Sequence, residues 1–128
     1  MSYKISKELF EAVMNVKLTT DLSIAPYYNE VNGCEEWDLI LINYNFIWIP
    51  LDTFFFKCKE WAYKQECELL SGYRVYDIQY KGNNSENKIY CDCKYIENGI
   101  QVIRFKADSE QQAVFDTCQW ILDNKDKQ

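Results

Sequence analysis

The feature that most constrains this chain is a strand that runs directly into a helix in its last third. Gln101-Val102-Ile103-Arg104-Phe105 has the composition of a strand, and Asp108-Ser109-Glu110-Gln111 follows it after two residues. Asp108 is placed to accept the Gln111 backbone N–H while the Gln111 side chain reaches back, a capping-box pattern that predicts a helix start. Val114, Phe115, Cys118, Ile121 and Leu122 then fall at i, i+1, i+4, i+7 and i+8, one stripe of a helix lying on a core.

Earlier segments read in the same way. Ser6 predicts an N-cap for a first helix from Lys7 to about Asn15, with Ile5 and Phe10 as a hydrophobic staple and Leu9, Phe10 and Val13 facing inward. Val16-Lys17-Leu18-Thr19 reads either as a short strand or as the exit from that helix. Pro26 opens a strand through Val31, and Asn32-Gly33 is the dipeptide best suited to a tight hairpin turn. The return strand, Trp37 to Ile42, carries the unbroken run Leu39-Ile40-Leu41-Ile42, which predicts burial on both faces. Asn43-Tyr44-Asn45 interrupts it before Phe46-Ile47-Trp48-Ile49, and Pro50 stops that segment.

Asp52 is positioned to cap a second helix whose stripe is Leu51, Phe54, Phe55, Cys58, Trp61 and Ala62, running to about Leu70 with Ser71-Gly72 as its stop. Beyond it the period changes to two. Tyr73 to Lys81, Lys88 to Ile96 and Ile100 to Lys106 predict three antiparallel strands, with a turn at Glu97-Asn98-Gly99. The resulting order, roughly α-β-β-α-β-β-β-α, is an α+β pattern with helices packed on an antiparallel sheet. A length of 128 residues suits a single domain spanning 1–128, and 48% hydrophobic with 16% aromatic residues suits a packed core.

Chemistry is constrained by what the composition omits. The sequence has no histidine, which removes Ser-His and Cys-His pairs, HExxH zinc sites and imidazole acid/base catalysis together. Its four glycines all sit at predicted turns or helix stops, so no Gly-rich phosphate loop exists. The six cysteines read as reduced thiols, and Cys91-Asp92-Cys93 puts two of them on one face of a strand with spacing too close for a CxxC zinc half-site. Neither a cofactor nor a metal is expected. A net charge of -6 without a basic stripe argues against a direct grip on nucleic acid. No leader pattern and no apolar run of about 20 residues is evident, so the expectation is a cytoplasmic protein without a membrane role.

What remains is a set of aromatic side chains turned away from the helical stripes. Trp120 lies roughly 160° from the centre of the last helix's stripe, with Ala113, Asp116 and Thr117 on the same outer side. On the second helix Phe56 and Tyr63 oppose Phe54, Cys58 and Trp61, with Lys59 and Glu60 between them. Such outward aromatics are the residue types enriched at interface hot spots. The plainer reading is that another helix or a homodimer partner covers them, or that they are isolated surface residues.

Three segments resemble a family of short phage and prophage proteins, the phage ABA-sandwich domain. They are Glu8-Leu9-Phe10-Glu11-Ala12-Val13-Met14-Asn15 as its opening helix, Pro50-Leu51-Asp52 leading to Trp61 as its proline-introduced second helix, and Ala107-Asp108-Ser109-Glu110-Gln111-Gln112-Ala113-Val114-Phe115 as its closing helix start. The aromatic segment from Tyr27 to Trp48 and the CxC pair have no counterpart in that pattern. The resemblance implies an α/β/α-layered small domain from a mobile element, in the host cytoplasm, and no activity. Joined to the missing catalytic residues, it leads to a non-enzymatic protein that binds a host protein or protein complex, for example as an anti-CRISPR-like inhibitor of a bacterial defence complex. Trp120, Phe56 and Tyr63 are its candidate partner-binding residues. Two alternatives stay open. One is a sequestering protein for a small nucleotide-like ligand, with a pocket lined by Tyr76, Tyr80, Tyr90 or Tyr95. The other is an enzyme using a thiol or the carboxylates Glu35, Glu36 and Asp38.

Overall fold

The computed structural model describes residues 3–29, 35–42, 47–73 and 89–125. In order these form α1 (Lys7–Met14), β1 (Leu22–Asn29), β2 (Glu35–Ile42), β3 (Ile47–Pro50), α2 (Leu51–Lys64), β4 (Cys67–Tyr73), β5 (Ile89–Tyr95), β6 (Gln101–Ala107) and α3 (Glu110–Asn124). The class is α+β, as the sequence predicts. Its order gains one strand, β3, and the strands form two antiparallel sheets of three, β1-β2-β3 and β4-β5-β6. The chain divides into two compact units, Met1–Lys57 and Cys58–Gln128, with the boundary inside α2.

In the first unit α1 begins as expected. Ser6 is in extended conformation and its hydroxyl accepts the Leu9 N–H at 3.0 Å. Asn15 ends the helix in the left-handed region at φ 55, where its short polar side chain is tolerated, and donates its N–H to the Glu11 carbonyl. The Glu11 carboxylate then accepts the Leu18 N–H at 2.7 Å. With that N–H already taken, Val16 to Thr19 is the helix exit and not a strand. Leu9 and Phe10 are buried, Val13 only half so, and the Phe10 ring stacks on Phe54 of α2 with centroids 5.2 Å apart.

β1 starts at Leu22, earlier than its sequence suggests, and Pro26 lies within it opposite Asp38. The sheet order makes β1 an edge strand, where a residue with no N–H to donate does not cost a ladder bond. Leu39 and Ile40 are adjacent in β2, project from opposite faces and are both buried, in keeping with two-sided burial of that run. The Asn32-Gly33 turn lies outside the described residues.

α2 corrects two expectations. It starts at Leu51, so Asp52 sits inside the first turn and not before it. It also ends at Lys64, well short of Leu70. Glu66 takes φ 67 and donates its N–H to the Tyr63 carbonyl, a left-handed cap that turns the chain into β4. Leu69 is seven residues after Ala62, so it continues the helical stripe as well as it fits a strand. The alternation of buried Cys67 and Leu69 with exposed Glu68 and Leu70 is the strand's own pattern. Of the predicted strand Tyr73 to Lys81, only Tyr73 is described, as the last residue of β4.

In the second unit β4, β5 and β6 form a meander, with Leu69 opposite Cys93 and Asp92 opposite Arg104. The turn after β5 is closed by Gly99, which at φ 69 donates its N–H to the Tyr95 carbonyl at 2.8 Å. α3 packs across all three strands. Its start is fixed by Ser109, one residue later than the capping box predicts: the Ser109 hydroxyl accepts the Gln112 N–H at 3.1 Å. Glu110 in the first turn accepts a 2.5 Å hydrogen bond from the Ser71 hydroxyl, which ties the helix start to β4.

Candidate functional site

The inner stripe of α2 is buried as predicted: Leu51, Phe54, Phe55, Cys58, Trp61 and Ala62 are all shielded. At 100° per residue that choice of stripe dictates what faces outward. Phe56 and Tyr63, seven residues apart, come within about 20° of each other on the opposite side. They are 62% and 61% exposed, the most exposed large apolar side chains of the described residues. Exposed Glu60 and half-exposed Lys59 lie between them. Phe56 is backed by the buried Phe55 ring, edge to face at 5.2 Å, which gives it a fixed footing.

Trp120 does not join that exposed pair. It is half-buried on α3, and of the three residues expected beside it on an outer face, Ala113 and Thr117 are completely buried and Asp116 is half-buried. α3 is shielded from Ala113 round to Phe115, an arc of about 200° at 100° per residue, and Trp120 sits at its margin. Ala113 is small enough to enter the core. Thr117 enters because its hydroxyl donates to the Ala113 carbonyl at 2.8 Å and so carries no unsatisfied polar group inward. Leu122, placed on the inner stripe by sequence, is half-buried.

One feature of the second unit is not legible as a site in the sequence. Asp92 is buried and its carboxylate takes two hydrogen bonds from Arg104, from Nε at 2.5 Å and from Nη2 at 2.8 Å. The guanidinium lies 5.0 Å from the Tyr90 ring centroid, in cation–π geometry. The signal was strand parity: residues flanked by Cys91 and Cys93 must face the other way. Parity also separates two of the tyrosines proposed for a ligand pocket. Tyr90 shares the face of Asp92, while Tyr95 lies on the face of Cys91 and Cys93, so both cannot line one pocket. Trp48 on β3 is a further exposed aromatic, on an edge strand of the first sheet. Tyr76, Tyr80 and the side chains of Glu35 and Glu36 lie outside the described residues, and Asp38 is half-buried.

Cys58, Cys67, Cys91, Cys93 and Cys118 are unbridged and buried. Burial pushes the Cys67 and Cys93 thiols up and the Cys91 thiol up to about 12. Contact with the Cys58 thiol, together with burial, holds Cys118 well above the ordinary thiol range. A thiol nucleophile needs the opposite shift, so these four are poor nucleophiles in the folded chain. Among the described residues no three Cys, Asp or Glu side chains are grouped as metal donors, and no helix is long and apolar enough to cross a membrane.

No protein-family model, curated protein or solved structure matches this chain.

Proposed function

We propose that the protein is a small non-enzymatic binding protein of phage or prophage origin, which acts by occupying a surface on a host protein or protein complex such as a bacterial defence assembly. The observation that carries the binding reading is the Phe56/Tyr63 pair, two large aromatics more than half exposed on one face of one helix. Burying two such side chains in a partner's pocket would gain what their exposure now forfeits in water. The raised thiols and the absence of histidine support a non-enzymatic role. The mobile-element origin rests on the three segments that resemble phage proteins.

The test compares the wild-type chain with Phe56→Ala/Tyr63→Ala and with Trp120→Ala in affinity capture from a bacterial host lysate, read by cross-linking mass spectrometry. The double variant should lose the captured partner by about 30-fold or more, the loss for a hot-spot truncation of 2 kcal/mol. Cross-links should fall beside α2. Trp120→Ala should reduce capture less, because most of that surface is already covered within the chain. Capture unchanged in the double variant, with its melting temperature also unchanged, would remove α2 as the binding face.

A further inference from the structure

Four of the five buried thiols of the second unit fall into two neighbouring pairs, Cys67 with Cys93 between β4 and β5, and Cys58 with Cys118 between α2 and α3, while Cys91 stands outside them. Backbone geometry distinguishes them. Cys93 is opposite Leu69 in the sheet, so Cys67 is its diagonal neighbour. Diagonal Cα atoms are about 7–8 Å apart. A disulfide accepts roughly 4.4–6.8 Å without moving the backbone. For the other pair the geometry is one of direct approach: Cys118 Sγ lies 3.6 Å from the Cys58 carbonyl oxygen, so its side chain already reaches the Cys58 backbone.

We propose that Cys58 and Cys118 are a latent disulfide pair whose oxidation staples α2 to α3, while Cys67 and Cys93 stay reduced. The step is a two-electron oxidation. Each thiol gives up its proton, one S–S bond forms, and the oxidant accepts two electrons and two protons. A hydroperoxide is thereby reduced to water and an alcohol, and an azodicarboxamide to the corresponding hydrazine. Both thiols are fully shielded, so the folded chain resists the reaction and the oxidant reaches them during local opening of the unit. The bridge then holds closed the segment whose opening admitted the oxidant.

The experiment uses the reduced full chain carrying Cys34→Ser, which leaves the five buried thiols. It is treated with diamide in buffer and at urea concentrations below the unfolding midpoint, then unfolded, alkylated and digested. The expected result is loss of two of the five alkylatable thiols, recovered as a peptide linking Cys58 to Cys118. The link should form faster with urea, raise the melting temperature and be reversed by dithiothreitol. Cys118→Ser should abolish it. A link joining Cys67 to Cys93 ahead of Cys58 to Cys118 overturns the proposal, as does retention of all five thiols as urea approaches the midpoint. Peptide mapping needs no substitution at either thiol, so a poorly folding Cys118→Ser chain leaves the decision intact.

Discussion

Phe54, Phe55 and Phe56 are three identical side chains in sequence, and helix geometry gives them different consequences. Phe54 is fully shielded and stacked on Phe10, Phe55 is buried, and Phe56 stands in water. Phe54→Ala would open a cavity under the Phe10 ring and should destabilise the chain by about 3–5 kcal/mol. Phe56→Ala removes a side chain that burial does not reward and should change stability by no more than about 0.5 kcal/mol. Urea denaturation of the two variants measures both. A large loss for Phe56→Ala would mean that Phe56 has a partner within the chain beyond its edge contact with Phe55, and the binding proposal would lose its main support. The Asp92–Arg104 pair follows the same logic with charge: each group is shielded enough that the other must answer it, so removing one partner alone costs more than the pair contributes.

At the scale of elements, the sequence was legible where one pattern had no rival. Ser6 before Lys7 and the stripes of α1 and α2 admit one reading, and the helices form there. It was illegible where two patterns agreed. Leu69 satisfies both a helix continued from Ala62 and a strand with Cys67, and only the left-handed Glu66 decides between them. The face of Trp120 is not legible from a single apolar stripe, which omits residues that enter a core by other means. Ala113 enters by size and Thr117 by a bond to its own helix, and together they widen the buried arc toward Trp120. The start of α3 was uncertain by one residue because Asp108 and Ser109 are both good caps. The structure assigns the cap to Ser109, so Ser109→Ala should cost about 1 kcal/mol. Asp108→Ala, at an exposed position, should stay within about 0.5 kcal/mol. Thermal melts of the pair check the assignment, and the reverse order of effects would restore the capping box.

At the scale of the whole molecule, the buried sulfur makes stability depend on alkaline pH in a direction that can be worked out. Burial raises the Cys67, Cys91 and Cys93 thiols, and contact with Cys58 together with burial raises Cys118. In the unfolded chain these groups return toward the ordinary value of 9.0. Below that pH both states hold the thiol protons, and the thiols contribute no pH dependence. Above it the unfolded chain releases protons that the folded chain retains. The unfolded state then binds fewer protons, so stability must fall as pH rises, by about 1.4 kcal/mol per pH unit for each thiol still protonated when folded. For Cys91 the window runs from 9.0 to about 12. Unfolding free energies from urea titrations across that window should therefore decline with a slope shared by several thiols, and Cys91→Ala should remove one thiol's share while lowering stability at neutral pH. A wild-type chain with the same stability on both sides of pH 9.0 would show that these thiols reach water in the folded state. They would then be open to oxidants without any opening of the unit, which would overturn the shielding on which the latent Cys58–Cys118 bridge depends for its slow, urea-accelerated formation.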